Sequence, residues 1–185
     1  MKRQLLTLGM IFLPALAMAA VPDFNGTWAR SAANSDPAPN VAYWTTRTAA
    51  TTGGGGGQRA PEVILTIRQD GKSMHVAESS NVVRDYTLDG APHTRATDTG
   101  IEKAAVTAAL QGDTLVIETI QPYGGMPGNA TLKVKETWAL SADGKTLTIT
   151  TTRDVAARQQ AYKQVYNRTQ AQPGAICSAG CVVPK

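Results

Sequence analysis

Asp23-Phe24-Asn25-Gly26-Thr27-Trp28 is the stretch that sets the fold. Gly26 lets the backbone turn tightly, and Trp28 places one large, stiff apolar ring where strands converge. Its expected partner lies near the other end of the chain, Arg168 in Val165-Tyr166-Asn167-Arg168, whose flat guanidinium can stack on an indole face. A first and a last strand that meet through Trp28 and Arg168 belong to a sheet closed on itself, so this pair is assigned to barrel closure.

The chain between them is patterned for strands. Val63, Leu65 and Ile67 alternate with polar residues up to Gln69-Asp70-Gly71, and Met74 and Val76 continue beyond that turn. Further turns are expected at Asp89-Gly90, Asp98-Thr99-Gly100, Gln111-Gly112-Asp113 and Ala142-Asp143-Gly144. Glu102 to Leu110 is Ala-rich, but its position between two turns and its Val106 and Thr107 assign it to a strand. The cleanest alternation sets Leu132, Val134, Glu136, Trp138 and Leu140 against Lys133, Lys135, Thr137 and Ala139. In Thr146 to Thr152, Leu147 and Ile149 are expected inward and the threonines outward, and residues 155–161 are read as a short helical turn before a last strand from Tyr162 to Arg168. Consecutive hairpins without a crossover helix give an all-β, up-and-down antiparallel barrel of about 8–10 strands, because closure removes the exposed edges of a long meander.

A chain of 185 residues suits one domain. Lys2 and Arg3, the apolar run Leu5 to Leu16 and the small-x-small Ala17-Met18-Ala19 have the pattern of a signal peptide cleaved near Ala19. The expected division is 1–19 signal peptide, 20–170 barrel with a flexible Pro/Gly/Thr-rich insertion at 34–60, and a tail at 171–185. Cleavage lowers the net charge from +4 to +2, with acids and bases interspersed, so the basic pI of about 9.2 does not argue for nucleic acid. The mature form is left without a transmembrane segment, and its expected location is the periplasm or the medium. Cys177 and Cys181 fit a disulfide in an exported protein; a redox pair or half of a metal site are the alternatives, and a metal would need two more ligands with no His nearby.

Asp23 to Trp28, Tyr86-Thr87-Leu88-Asp89-Gly90, Gly112 to Ile117, Glu136 to Leu147 and Val165 to Arg168 together resemble the small exported lipocalin-like β-barrel proteins of bacteria. The resemblance spans Asp23 to Arg168. It implies a calycin-like barrel whose interior can hold a small apolar molecule, with Trp28 and Arg168 closing one end. Most such proteins have no assigned activity. The run Gly53 to Gly57 and the Cys177/Cys181 tail depart from the pattern.

Glu136 falls in phase with an apolar face, where a carboxylate must be paired or neutralised. It either orients a polar ligand head, pairs with a base such as Arg84 or Arg168, or sits near the barrel rim. Arg84 and Tyr86 share one strand face and are ligand donors if that face points inward. Ile117, Val134 and Trp138 complete the candidate ligand-binding set, and Leu65, Leu132, Leu147 and Ile149 are further lining candidates. Of the two histidines, His75 is out of phase with Met74 and Val76 and is expected at the surface. Neither a Gly-x-Ser-x-Gly nor a His-Glu-x-x-His sequence occurs, and Gly53 to Gly57 lacks the Gly-Lys-Ser/Thr of a phosphate loop. The sequence therefore favours a non-enzymatic binder of a small hydrophobic or amphipathic molecule, with no cofactor, metal or nucleic acid. The other reading is a filled-barrel structural or interaction module with a partner in the cell envelope.

Overall fold

Side chains alternate across a strand, so a period-two apolar pattern buries one face and leaves the other in water. That pattern recurs along the chain and produces ten strands: β1 (Gly26–Arg30), β2 (Ile64–Gln69), β3 (Ser73–Glu78), β4 (Val83–Thr87), β5 (His93–Ala96), β6 (Lys103–Gln111), β7 (Thr114–Pro122), β8 (Thr131–Leu140), β9 (Thr146–Val155) and β10 (Arg158–Thr169). The structure, a computed structural model, describes residues 21–36, 63–79, 82–96, 103–122, 130–155 and 158–170. The expected signal peptide, most of the insertion at 34–60, the turn at Asp98-Thr99-Gly100 and the Cys177/Cys181 tail lie outside them. Among the described residues there is no helix, and none long and apolar enough to cross a membrane.

All ten strands form one antiparallel sheet in the order β4-β3-β2-β1-β10-β9-β8-β7-β6-β5. Each strand pairs with its neighbours in sequence except β4 with β5, which form the two edges, and β1 against β10 joins the two halves. The result is an up-and-down barrel, nearly closed. The hairpin turns after β2, β6 and β8 and the connection from β4 to β5 gather at the end where β1 begins. There Gly144 takes a φ of 66°, which the turn from β8 to β9 needs and a β-substituted residue resists.

Two of the sequence expectations are corrected. Residues 158–161 belong to β10, in register with Thr152 to Val155 of β9, so no helical turn forms over them. The Ala and Gln side chains suit an exposed strand end, and pairing with β9 outweighs their modest helix preference. The threonines of β9 do not all face outward either. Thr151 is 2% exposed and points inward between Glu136 and Tyr162, because the alternation set by Leu147 and Ile149 simply continues.

The core is the concave face of the sheet: Trp28, Leu65, Ile67, Met74, Val76, Leu115, Ile117, Trp138, Leu147 and Ile149, sealed at the β1 end by Phe24. Phe24 meets Trp138 edge to face at 6.3 Å between ring centroids. Gln69 ties the segment before β1 to the turn after β2, accepting from the Phe24 N–H at 3.0 Å and donating to the Pro22 carbonyl at 3.1 Å.

Candidate functional site

Barrel closure is built from both ends of the chain. Trp28 and Arg168 are register partners of β1 and β10, and the Arg168 guanidinium carbon sits 4.3 Å from the Trp28 ring centroid. Arg168 Nη1 donates to the Asn25 carbonyl at 2.6 Å and Nε to the Gly144 carbonyl at 2.9 Å. Gly26 makes room for this fork: with φ at 133°, an added Cβ would lie 2.7 Å from Arg168 Nη1. The indole N–H of Trp28 donates to the Phe24 carbonyl at 3.0 Å.

The inner face also carries polar side chains. On β8, Glu136 points inward between Ile117 of β7 and Thr151 of β9, as its phase with Leu132, Val134 and Trp138 requires. Neither Arg84 nor Arg168 is its bonded partner. Its Oε2 accepts from the indole N–H of Trp138 at 3.0 Å. Arg84 and Tyr86 also face inward from β4, paired with Val76 and Met74. Arg84 donates to Glu78 at 2.9 Å, with the two side chains 16% and 8% exposed. Ile117 is buried and Val134 half-buried on the same face. His75 lies on the outer face, bonded to Asp85 at 2.7 Å.

Several inward polar residues were not singled out from the sequence. Arg30, Glu78, Arg95, Arg153, Tyr162 and Tyr166 all share the inner phase, by their register with Tyr166, Leu65, Ala104, Val134, Thr151 and Leu147. Alternation carried two residues past Val76 predicts Glu78, and carried four past Ile149 predicts Arg153. Arg95 sits on a strand of four residues, too short for a pattern.

These groups form one electrostatic cluster. Burial pushes the Tyr86 phenol up from its ordinary value; the Glu136 charge adds to this, and Arg84 and Arg95 oppose it. Burial raises Tyr166 and Tyr162 in the same way, and Glu136 again adds to each. Burial works against the Arg84 charge, but Tyr86, Glu78 and Glu136 outweigh it and raise its pKa. At neutral pH the tyrosines are therefore hydrogen-bond donors. Arg153 lies over the Tyr162 ring at 5.2 Å and Arg95 over the Tyr86 ring at 5.8 Å. Among the described residues no group of three or more His, Cys, Asp or Glu has an arrangement that could hold a metal ion. The inner face thus combines apolar side chains with hydrogen-bond donors, the chemistry that suits an amphipathic molecule.

No protein-family model matches the chain, and no curated protein matches it by sequence. Solved structures of similar shape include two binding proteins. The zebrafish ileal bile acid-binding protein complexed with cholic acid is 17% identical, with a TM-score of 0.51 over 79% of this chain and 98% of that one. Fatty-acid-binding protein 1 of Echinococcus granulosus is 12% identical, with a TM-score of 0.46 over 78% and 96%. The likeness to the first, together with the strand order, gives the fold: the chain is an all-β, up-and-down antiparallel barrel.

Proposed function

We propose that this chain is an exported, non-enzymatic binding protein that holds one small hydrophobic or amphipathic molecule inside its barrel, akin to the lipocalin-like envelope proteins of bacteria. The observation that carries the reading is the mixed character of the inner face. Tyr86 belongs to the buried cluster of Phe24, Trp28 and Trp138, and Arg84 and Glu136 share that inner face with it. The apolar part of a ligand would lie against Ile117, Val134 and Trp138, gaining about 25 cal/mol for each Å² removed from water. Arg84, Tyr86 and Glu136 would fix the orientation of its polar end. That the zebrafish structure is named for binding a bile acid supports a small lipophilic ligand. The Lys2/Arg3, Leu5–Leu16 and Ala17-Met18-Ala19 pattern supports export, with the mature chain in the periplasm or the medium.

Native mass spectrometry of protein purified gently from its compartment, before and after organic extraction, tests the reading. A discrete added mass that extraction removes is the expected result. A bare polypeptide mass, together with no fluorescence gain from the neutral probe Nile red, would overturn it in favour of the filled-barrel module. The same spectrum reads the cleavage site and shows whether Cys177 and Cys181 are two hydrogens short.

A further inference from the structure

Strands β4 and β5 follow one another in the chain, yet they are the two free edges of the sheet. Every other sequential pair is joined by a ladder of backbone hydrogen bonds, as are β1 and β10. Across this seam the Gly90 N–H donates to the Ala108 carbonyl of β6 at 3.0 Å, close to the plugged end. Further along, the Arg95 guanidinium from β5 lies over the Tyr86 ring from β4. A closed barrel has no edges to satisfy; this one has two, bridged by side chains.

The bridge is incomplete in a particular way. Arg84 has its counter-ion in Glu78, and the Glu136 carboxylate has the indole N–H of Trp138. Among the described residues Arg95 forms no ion pair, and its Nη1 is buried without a hydrogen-bond acceptor. A buried guanidinium N–H with nothing to donate to is costly, and an anion is the partner that relieves it best. Tyr86, 6% exposed, presents a phenol that stays protonated at neutral pH and so donates as well. Arg84, two residues away on the same face, adds positive charge on the β4 side.

Resting on the carrier reading above, we infer that the β4/β5 seam is the head-group subsite: the carboxylate of an acidic amphiphile accepts from Arg95 on one edge and Tyr86 on the other, and so ties the edges together. A neutral ligand with the same tail fills the barrel but offers Arg95 Nη1 only an uncharged acceptor, so it holds the seam less firmly. Acid selectivity and seam closure are then one property.

The test uses the full chain, with dodecanoate and 1-dodecanol displacing Nile red at neutral pH. Dodecanoate should bind at least about tenfold more tightly than 1-dodecanol, the size of one charge-assisted hydrogen bond. Arg95→Gln should abolish that preference by weakening dodecanoate about tenfold more than 1-dodecanol, whose retained binding reports that the variant is folded. In the unmodified chain, dodecanoate but not 1-dodecanol should slow amide hydrogen exchange in both Val83–Thr87 and His93–Ala96. Equal affinities for the two probes, equal losses of both in Arg95→Gln, or no selective protection of the two edges would overturn the head-group site while leaving a carrier. Displacement by neither would sink the carrier reading along with it.

Discussion

Arg168 lies over Trp28, its guanidinium carbon 4.3 Å from the ring centroid, and in the same position donates to the carbonyls of Asn25 and Gly144. One side chain on the last strand thus grips the first strand, the segment before it and the turn between β8 and β9. Arg168→Ala should lower the unfolding free energy by about 1–3 kcal/mol, combining a cation–π contact with two charge-assisted bonds in a partly wet setting. Arg168→Lys keeps the charge but not the planar fork, and should recover less than half of that loss in urea denaturation.

Gly26 serves the same junction. Its φ of 133° is one that residues with a Cβ rarely adopt, and the added methyl of Gly26→Ala would stand 2.7 Å from Arg168 Nη1. A loss of about 1–3 kcal/mol is expected from backbone strain. In a double-mutant cycle Gly26→Ala should cost clearly less in the Arg168→Ala background than alone. Strict additivity would show that the two residues do not share a site.

The bond from Trp138 to Glu136 can be isolated with Trp138→Phe, which keeps an aromatic ring beside Phe24 but removes the indole donor. Loss of a donor to a half-buried carboxylate should reduce stability by about 1–3 kcal/mol. Native-state fluorescence should lose the contribution of a tryptophan that is 1% exposed.

Alkaline pH gives a test of the buried phenols. Tyr86, Tyr162 and Tyr166 all titrate above the ordinary value of 10.0, with burial as the leading cause. The folded state therefore holds protons that the unfolded state releases first, and its stability is full below pH 10 and declines as pH rises above it. Absorbance at 295 nm should show these phenolates appearing together with unfolding rather than before it. Tyr86→Phe and Tyr166→Phe should each flatten the alkaline decline; a decline of unchanged steepness in both variants would show that other groups cause it.

Most of the fold was legible, because a strand writes its inner face as every second residue. Leu132, Val134, Glu136, Trp138 and Leu140 state the face of β8 without ambiguity, and Trp28 with Arg168 identified the closing pair from opposite ends of the chain. The partner of Glu136 was not legible. Alternation tells which face a carboxylate takes but not which neighbour reaches it, and Trp138, two residues on along the same face, was closer than any arginine. Arg95 escaped for another reason: β5 is four residues long, and its place at the seam follows from sheet order rather than local pattern. The end of β9 was missed because a run of threonines carries no apolar contrast to mark which of them turn inward.

The junction of β1 with β10 also bears on how the molecule assembles. Asn25 and Arg168 are bonded across a separation of 143 residues, and nearly the whole barrel must be threaded between them before that bond can form. Hairpins such as β6–β7 and β8–β9 close short loops and can form early, whereas the first strand meets its second neighbour only once the last has been made. Contacts this distant in sequence carry a large ordering cost before any return, which slows folding. Under the export proposed above, the step that locks the barrel would wait for the final strand and leave the polypeptide open while it is moved.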